Sequence, residues 1–285
     1  MSRIISTIVC SLLMQGSFAQ GLDSTMALAQ RLFKQNQFEQ AIYFYERARF
    51  FSPQELEAPI LFKMGECYRQ SDQAETSLAY FDRAYFNSRD EKLKQEALLA
   101  KVQSLIQLKD FNLALAEIYA ANPQEPMLQQ RFHFYEGLCH YTQMNFEQSY
   151  HSFIAAAGAD SSKVKELVSL YSDTSSLFRP RPGLAKKLSF FLPGLGQFYA
   201  GDYRNGLNSL ALNAAFIALT INVGLTYSTF DALLAVFPWL QRYYIGGTDK
   251  AKLIAKDKLL KNRQEFFLEV LEILEDEKAT ANPGP

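Results

Sequence analysis

The histidines and cysteines are the first residues to consider for chemistry, because both types bind metals and act as nucleophiles or bases. His133 and His140 stand seven residues apart in a segment of helical pattern, with Cys139 beside the second. Two turns separate the histidines, which is more than the i, i+4 spacing that lets two side chains share a metal. The spacing therefore predicts no metal site.

Known catalytic signatures are missing from the chain. There is no Ser-His-Asp order, nucleophile elbow, Walker loop or Cys-x-x-Cys pair. Gly194 and Gly196 could begin a nucleotide loop, but Gln197-Phe198-Tyr199 follows where the third glycine should be. We therefore expect no enzyme, no catalytic residue and no cofactor.

The composition excludes several classes of protein. The 285 residues include 29 Lys and Arg against 30 Asp and Glu, so a net charge of -1 offers no basic field to nucleic acid. Hydrophobic residues make up 48% of the chain, and only three residues are cysteine, so neither a disordered chain nor a disulfide scaffold is expected. The 23 Phe and 15 Tyr suit both stacked helices and a membrane interface.

Residues 1–19 have the layout of a secretory signal peptide. Arg3 is followed by an apolar stretch, Ile4–Met14, and then by Ser17-Phe18-Ala19, with small residues at the two positions that signal peptidase reads. The apolar stretch is too short to span a bilayer. We predict cleavage after Ala19 and export of the chain; the first helix of a soluble protein is the alternative.

One residue pattern recurs about four times between residues 20 and 159. The copies align on a small residue at Ala41, Ser77, Ala114 and Ser149, with spacings of 36, 37 and 35 residues. A period in the thirties is typical of helical repeats. The residues predicted to pack the repeats are small or aromatic: Gly65, Gly137, Ala41, Ala48, Ala84, Ala114, Tyr45 and Phe81.

This pattern resembles the tetratricopeptide repeat, a helix–turn–helix unit. The resemblance implies an all-α solenoid in which small residues stand where helix backbones approach and aromatic residues fill the gaps. It also implies a concave face for peptide or protein partners and brings no catalytic residues. A spacer is the alternative role. Cys67 and Cys139 occupy the same position in repeats two apart, which predicts buried packing and no disulfide.

Residues 160–187 are predicted to close the repeats. The segment 161–177 has the apolar spacing of one helix, and a solenoid needs such a cap. Arg179-Pro180-Arg181-Pro182-Gly183 then reads as a stiff, basic linker. We therefore expect a domain boundary here.

Residues 188–247 are predicted to form a membrane hairpin. One charged residue, Asp231, occurs between Asn205 and Gln241, a length that fits two short spans. We place them at Gly206–Leu225 and Phe230–Ile245, with a kink at Pro238 in the second span. A buried hairpin of a soluble domain is the alternative.

Polar residues within the first span carry a further expectation. Asn208, Asn213 and Asn222 are costly in lipid, so we expect them to face a partner helix within the hairpin or in an oligomer. Trp239, Tyr243 and Tyr244 would form an aromatic belt at the end of the second span.

A glycine-rich segment stands immediately before the first span. Its motif residues are Pro193, Gly194, Gly196, Gln197, Phe198, Tyr199 and Gly201. The segment resembles the motif that precedes paired transmembrane helices in small bacterial membrane domains, which implies an architecture and no reaction. We expect a short surface turn here. Polar residues of this turn would bind a lipid headgroup or partner, or only anchor the hairpin: Gln197, Tyr199, Asp202 and Arg204.

Residues 248–285 form a charged tail with a helical pattern as far as Lys278, basic at first and acidic at its end. Such a helix would lie along the membrane or pack on a partner. The basic segments 179–187 and 250–261 favour a cytoplasmic location by the positive-inside rule, whereas the signal peptide favours export. We give precedence to the signal peptide, because a cytoplasmic solenoid has no use for one.

The sequence therefore predicts an all-α bacterial protein of the inner membrane, with a periplasmic repeat domain that docks proteins. Its expected partners are proteins or peptides on the concave face, membrane lipid and a second copy through the hairpin, with no nucleic acid. The alternatives are a part of an envelope transport or assembly machine whose hairpin oligomerises, and, less favoured, an enzyme.

Overall fold

The structure is a computed structural model that describes residues 21–275, the side chain of Asp231 excepted. Over these residues the chain is helical and has no β-strand, in agreement with the predicted all-α class. It divides into two compact units between Asp160 and Ser161. The predicted signal peptide, its cleavage site and the last ten residues lie outside the described part of the chain.

The N-terminal unit consists of consecutive helices that pack on their neighbours. Residues 21–34 form α1. The others are α2 Phe38–Phe51, α3 Gln54–Gln70, α4 Ala74–Asn87, α5 Glu91–Gln107, α6 Phe111–Ala120, α7 Pro126–Thr142 and α8 Phe146–Ala157. The described part of this unit is thus four helical pairs, each joined by a turn of about three residues.

The turn inside each pair contains a residue in the left-handed backbone conformation. These residues are Asn36, Asp72, Lys109 and Met144, with φ between 59° and 65°. Their spacing matches that of the small residues on which the four sequence copies align. The left-handed conformation is unfavourable for residues other than Gly, Asn and Asp. Lys109 and Met144 therefore have a strained backbone.

The core of the N-terminal unit includes the small and aromatic residues of the repeat pattern beside buried aliphatic side chains. Ala41, Ala84, Ala114 and Phe81 are fully buried, and Tyr45 and Ala48 are nearly so. An ideal Cβ on Gly65 would lie 2.6 Å from the ring of Phe81, and one on Gly137 would lie 2.7 Å from the ring of Phe153. Each ring therefore occupies the space that the glycine leaves.

The C-terminal unit contains α9 Ser161–Ser172, α10 Pro182–Phe191, α11 Leu195–Tyr199, α12 Tyr203–Thr226, α13 Thr229–Asp231 and α14 Phe237–Leu274. A 3₁₀ turn covers Ser175–Leu177, and a π-helical turn covers Ala232–Val236. Helix α14 has 38 residues and packs against α9, α10, α11 and α12. It is the element around which this unit is organised.

Three details of this unit differ from the sequence-based expectations. The segment expected as a separate second span is the π-helical turn followed by the start of α14, which continues without a break into the charged tail. Pro238, expected inside the second span, lies in the first turn of α14, directly after the π-helical turn. Helix α9, which begins the segment predicted to close the repeats, belongs to the C-terminal unit and packs on α14, with Tyr171 edge-to-face against Phe266.

Candidate functional site

The motif Pro193–Gly201 forms a compact junction between α10 and α12. Helix α10 ends at Phe191, the five-residue α11 follows, and α12 begins at Tyr203. Gly194 and Gly201 have φ of 95° and 83°, which other L-residues rarely adopt. The motif therefore consists of two left-handed glycine turns with one short helix between them.

Two of the glycines stand where backbones nearly touch. An ideal Cβ on Gly196 would lie 1.9 Å from the carbonyl oxygen of Ala185, and one on Gly194 would lie 2.3 Å from that of Gly206. An ideal Cβ on Gly206 would in turn lie 2.9 Å from the ring of Phe198. Because a backbone carbonyl cannot rotate away, any larger side chain at Gly194 or Gly196 would force α10, α11 and α12 apart.

Gln197 is the hydrogen-bonding centre of the junction. Its side chain is 1% exposed. The Oε1 atom accepts a hydrogen bond from Ser189 Oγ at 2.8 Å, and Nε2 donates to the carbonyl oxygen of Gly247 at 2.9 Å. Ser189 Oγ also accepts from the backbone N–H of Gly196 at 2.9 Å. One buried amide thus joins α10, α11 and α14, and removing it would leave buried polar groups without partners.

The prediction of a polar cluster at the surface is therefore wrong for Gln197, because its side chain is buried. The other members have separate local roles. Tyr199 Oη accepts a hydrogen bond from the backbone N–H of Arg181, and Asp202 caps α12 by accepting from the backbone N–H of Asn205. This hydrogen bond, aided by the side-chain amide of Asn205, lowers the pKa of Asp202 below its ordinary value.

Small residues bring α10 and α14 together beside the junction. Ala185, Ala251 and Ala255 are fully buried and form one cluster with Ala200. Lys186 pairs with Asp249 at 2.6 Å, and Lys250 donates to Asn205 Oδ1 at 2.7 Å. The junction is thus closed by alanine packing inside and by polar contacts at its edge.

Helix α12 leaves the junction with an apolar surface. Among the described residues it is the one helix that is long and apolar enough to cross a membrane, and 6% of its most apolar stretch is buried. It packs on α14 through the stacked rings of Phe216 and Tyr243, whose centroids are 5.1 Å apart. Leu207, Leu219 and Leu225 are among its exposed side chains.

The three asparagines of α12 do not share one environment. Asn213 is buried, and its Nδ2 donates to the carbonyl oxygen of Ser209. Asn208 and Asn222 are exposed on the outer surface of the helix. Asn213 is therefore covered within this unit, whereas Asn208 and Asn222 are not.

The cysteines considered first for chemistry are buried, and two of the histidines contact neighbouring polar side chains. Cys67 and Cys139 are buried free thiols, and burial raises the pKa of each to about 12. His133 Nδ1 lies 3.0 Å from Glu136, and His140 Nε2 lies 3.0 Å from Tyr119 Oη. Within the described residues no group of three His, Cys, Asp or Glu side chains is placed to hold a metal ion.

Sequence reasoning missed Ser189 and Gly247 as partners of Gln197. Ser189 precedes Gln197 by eight residues and Gly247 follows it by fifty, so no short motif contains all three. The one local signal is that the motif contains a glutamine among apolar and glycine residues, which is typical of a buried amide with fixed partners.

Comparisons with known proteins name no relative. No protein-family model, curated protein or solved structure matches this chain. We therefore infer the function from the geometry and chemistry of the two units themselves.

Proposed function

We propose that the protein is a membrane-anchored scaffold that docks other proteins on a tetratricopeptide-type repeat array. The exposed apolar surface of α12 carries this proposal, since soluble proteins rarely leave such a surface in contact with water. The four helical pairs support the docking role, because stacked helical repeats ordinarily present a binding face. The C-terminal hairpin, α12 followed by the first part of α14, is the proposed anchor.

Protease protection tests the anchor and its orientation together. An epitope tag would be placed in the exposed loop between α6 and α7, which includes Gln124. We expect protease to remove the tag from spheroplasts while the protein stays with carbonate-washed membranes, as an exported repeat array requires. Protection of the tag would place the repeats in the cytoplasm, and release by carbonate would contradict the anchor.

A pair of matched variants sharpens the membrane test. Leu219→Lys places a charge on the exposed face of α12, where a charge in lipid costs about 3 kcal/mol. Phe86→Lys places the same charge on an exposed aromatic residue of α4. We expect only the first variant to lower the membrane-bound fraction. Equal retention of both would contradict insertion of α12.

Photo-crosslinking distinguishes docking from a spacer role. A photoreactive residue would replace Gln70 at the end of α3, a first helix of a pair, or Glu75 at the start of α4, a second helix; both positions are exposed. In tetratricopeptide-type arrays the first helices line the concave face, so we expect discrete adducts from position 70 only. Adducts from neither position would favour a spacer.

A second candidate function is an oligomeric membrane component, favoured by one observation. The exposed residues Asn208, Ala211, Ala215, Ala218 and Asn222 recur on α12 at alternating spacings of three and four. Small residues let membrane helices approach closely, and an amide exposed to lipid is stabilised by hydrogen bonds across a helix pair. A second copy of α12 supplies both the facing small residues and the hydrogen-bond partners of the amides.

Cysteine cross-linking in membranes tests this candidate. Ala215→Cys lies on the proposed face, and Ile217→Cys is an exposed control on another face of the same helix. We expect disulfide-linked dimers from the first variant only, and fewer of them when Asn208 and Asn222 are both changed to Leu. Equal cross-linking at both positions would contradict a specific interface.

A further inference from the structure

A polar pocket opens beside the glycine junction of the C-terminal unit. It has a volume of about 290 Å³ and lies between the loop that follows α9, the turn that precedes α12, and one face of α14. Its polar lining consists of Ser175, Ser176, Arg179, Tyr199, Lys258 and Asn262. None of the described residues that line it is Asp or Glu, so its fixed charges are both positive.

The two cations of the pocket are not neutralised by ion pairs with other described residues. Among the described residues, no carboxylate lies within ion-pair distance of the Arg179 guanidinium or the Lys258 ammonium group. A planar guanidinium, an ammonium and the Ser176 hydroxyl supply several donors, whereas Ser175 donates to the carboxylate of Asp173 beside the pocket. An anion with several acceptor oxygens is the ligand chemistry that this set matches.

The loop that carries Arg179 is held in place by its backbone. Asn262 Nδ2 donates to the carbonyl oxygen of Arg179 at 3.0 Å, and Arg263 Nε donates to that of Leu177 at 2.9 Å. Leu177 itself is fully buried. The pocket wall is therefore formed before any ligand arrives, which lowers the entropy lost on binding.

The pocket lies at the polar end of the proposed span. Gly201, in its rim, is followed directly by Asp202, which caps α12. If α12 crosses a bilayer, as the proposed function requires, the pocket lies near the depth of the lipid phosphates on that side. Arg204, in the first turn of α12, and Lys250, which contacts Asn205, add basic residues near the same end, an arrangement that favours anionic lipids.

We propose that this pocket binds a phosphate group, with Arg179 and Lys258 as the charged contacts and the Ser176 hydroxyl as a further donor. The volume exceeds that of phosphate alone and is near the lower limit of small-molecule sites, so a glycerol-sized group beside the phosphate also fits. An anionic phospholipid headgroup and a soluble phosphate ester present this same chemistry.

The test uses the full chain, purified in a neutral detergent, and two double variants of equal charge. Arg179→Gln with Lys258→Gln removes the pocket cations. Lys252→Gln with Lys256→Gln removes two exposed lysines of α14 outside the pocket. Native mass spectrometry then measures phosphatidylglycerol retained per chain, with phosphatidylcholine as the neutral lipid. We expect the pocket variant to bind phosphatidylglycerol at least tenfold more weakly, and the control variant to change less than twofold.

A second arm separates the two sources of phosphate and does not need a membrane. The thermal stability of the detergent-solubilised protein is compared in inorganic phosphate and in chloride at equal ionic strength. Stabilisation by phosphate that the pocket variant loses, without phosphatidylglycerol binding, identifies a soluble phosphate ligand even if α12 proves not to span a membrane. Retention of phosphatidylglycerol that the pocket variant loses identifies a lipid headgroup.

Two results would overturn the proposal. Wild-type binding of both probes by the pocket variant would show that Arg179 and Lys258 contact no phosphate. An equal loss in both double variants would show only diffuse attraction to basic helices. Arg179→Lys with Lys258→Arg keeps both charges and should retain most of the binding, and circular dichroism of every variant should match the wild type, which excludes misfolding as the cause of a loss.

Discussion

The two units use glycine for close packing in different ways. In the N-terminal unit, Gly65 and Gly137 each face an aromatic ring sixteen residues further along the chain. In the C-terminal unit, Gly194 and Gly196 face backbone carbonyl oxygens of other helices. A ring can turn or be replaced, whereas a carbonyl is fixed by its helix. The junction is therefore expected to tolerate substitution of its glycines far less than the N-terminal unit does.

The largest effect is expected from Gly196→Ala. Its new Cβ would lie 1.9 Å from the Ala185 carbonyl oxygen, so α10 and α11 must separate, and we expect a loss of more than about 4 kcal/mol from the C-terminal unit. The fluorescence of the single tryptophan, Trp239, measures this during denaturation. Gly183→Ala in α10 is the matched control, because its Cβ would meet nothing within 4 Å. A loss below about 1 kcal/mol for Gly196→Ala would refute the contact.

Gln197→Leu tests the hydrogen-bonding centre of the junction. It leaves Ser189 Oγ without one partner and the Gly247 carbonyl without its side-chain donor, which should cost about 2 to 3 kcal/mol. Gln197→Glu should also destabilise, since a carboxylate cannot donate to Gly247. Gln241→Leu, at an exposed position of α14, should change stability by less than about 0.5 kcal/mol. Trp239 fluorescence again reports the change, and equal effects at positions 197 and 241 would refute the role of Gln197.

Gly65→Ala should cost less, about 1 to 3 kcal/mol, because the Phe81 ring can shift. The labelling rate of the buried thiol of Cys67, in the same helix, measures local opening. In a Phe81→Leu background the cost of Gly65→Ala should fall by at least about 1 kcal/mol, since the two residues compete for one space. Strictly additive effects would show that the ring and the glycine are independent.

Lys109→Gly should give the smallest effect and should stabilise the protein. Lys109 has φ of 63° in an exposed turn, and relief of this strain is worth about 1 kcal/mol after the entropy cost of glycine. Labelling of Cys139, which packs in the same cluster as Leu105 and Ala114, should slow by roughly fivefold. Asn36→Gly is the control with a smaller gain, because Asn tolerates this conformation. Faster labelling of the Lys109→Gly protein would contradict the assigned strain.

Much of the N-terminal unit could be predicted from sequence because its contacts are local. Gly65 and Phe81 lie within one helical pair, and the same spacing recurs at Gly137 and Phe153. Helical periodicity and a repeated small residue therefore predict the pairs and their core. The left-handed turns at Lys109 and Met144 could not be predicted, since those residue types favour no such conformation.

The C-terminal unit shows where prediction from sequence stops. The length and apolarity of α12 were readable, as was the break at Pro193–Gly201, because both depend on residue type along a short stretch. The burial of Gln197, the separation of Asn213 from Asn208 and Asn222, and the continuity of α14 were decided by tertiary structure. Each depends on helices brought together across tens of residues, as in the bond from Gln197 to Gly247 fifty residues away. The sequence by itself determined which segments are helical and apolar; the tertiary structure decided which face of each helix is covered, since that follows from the neighbours it packs against.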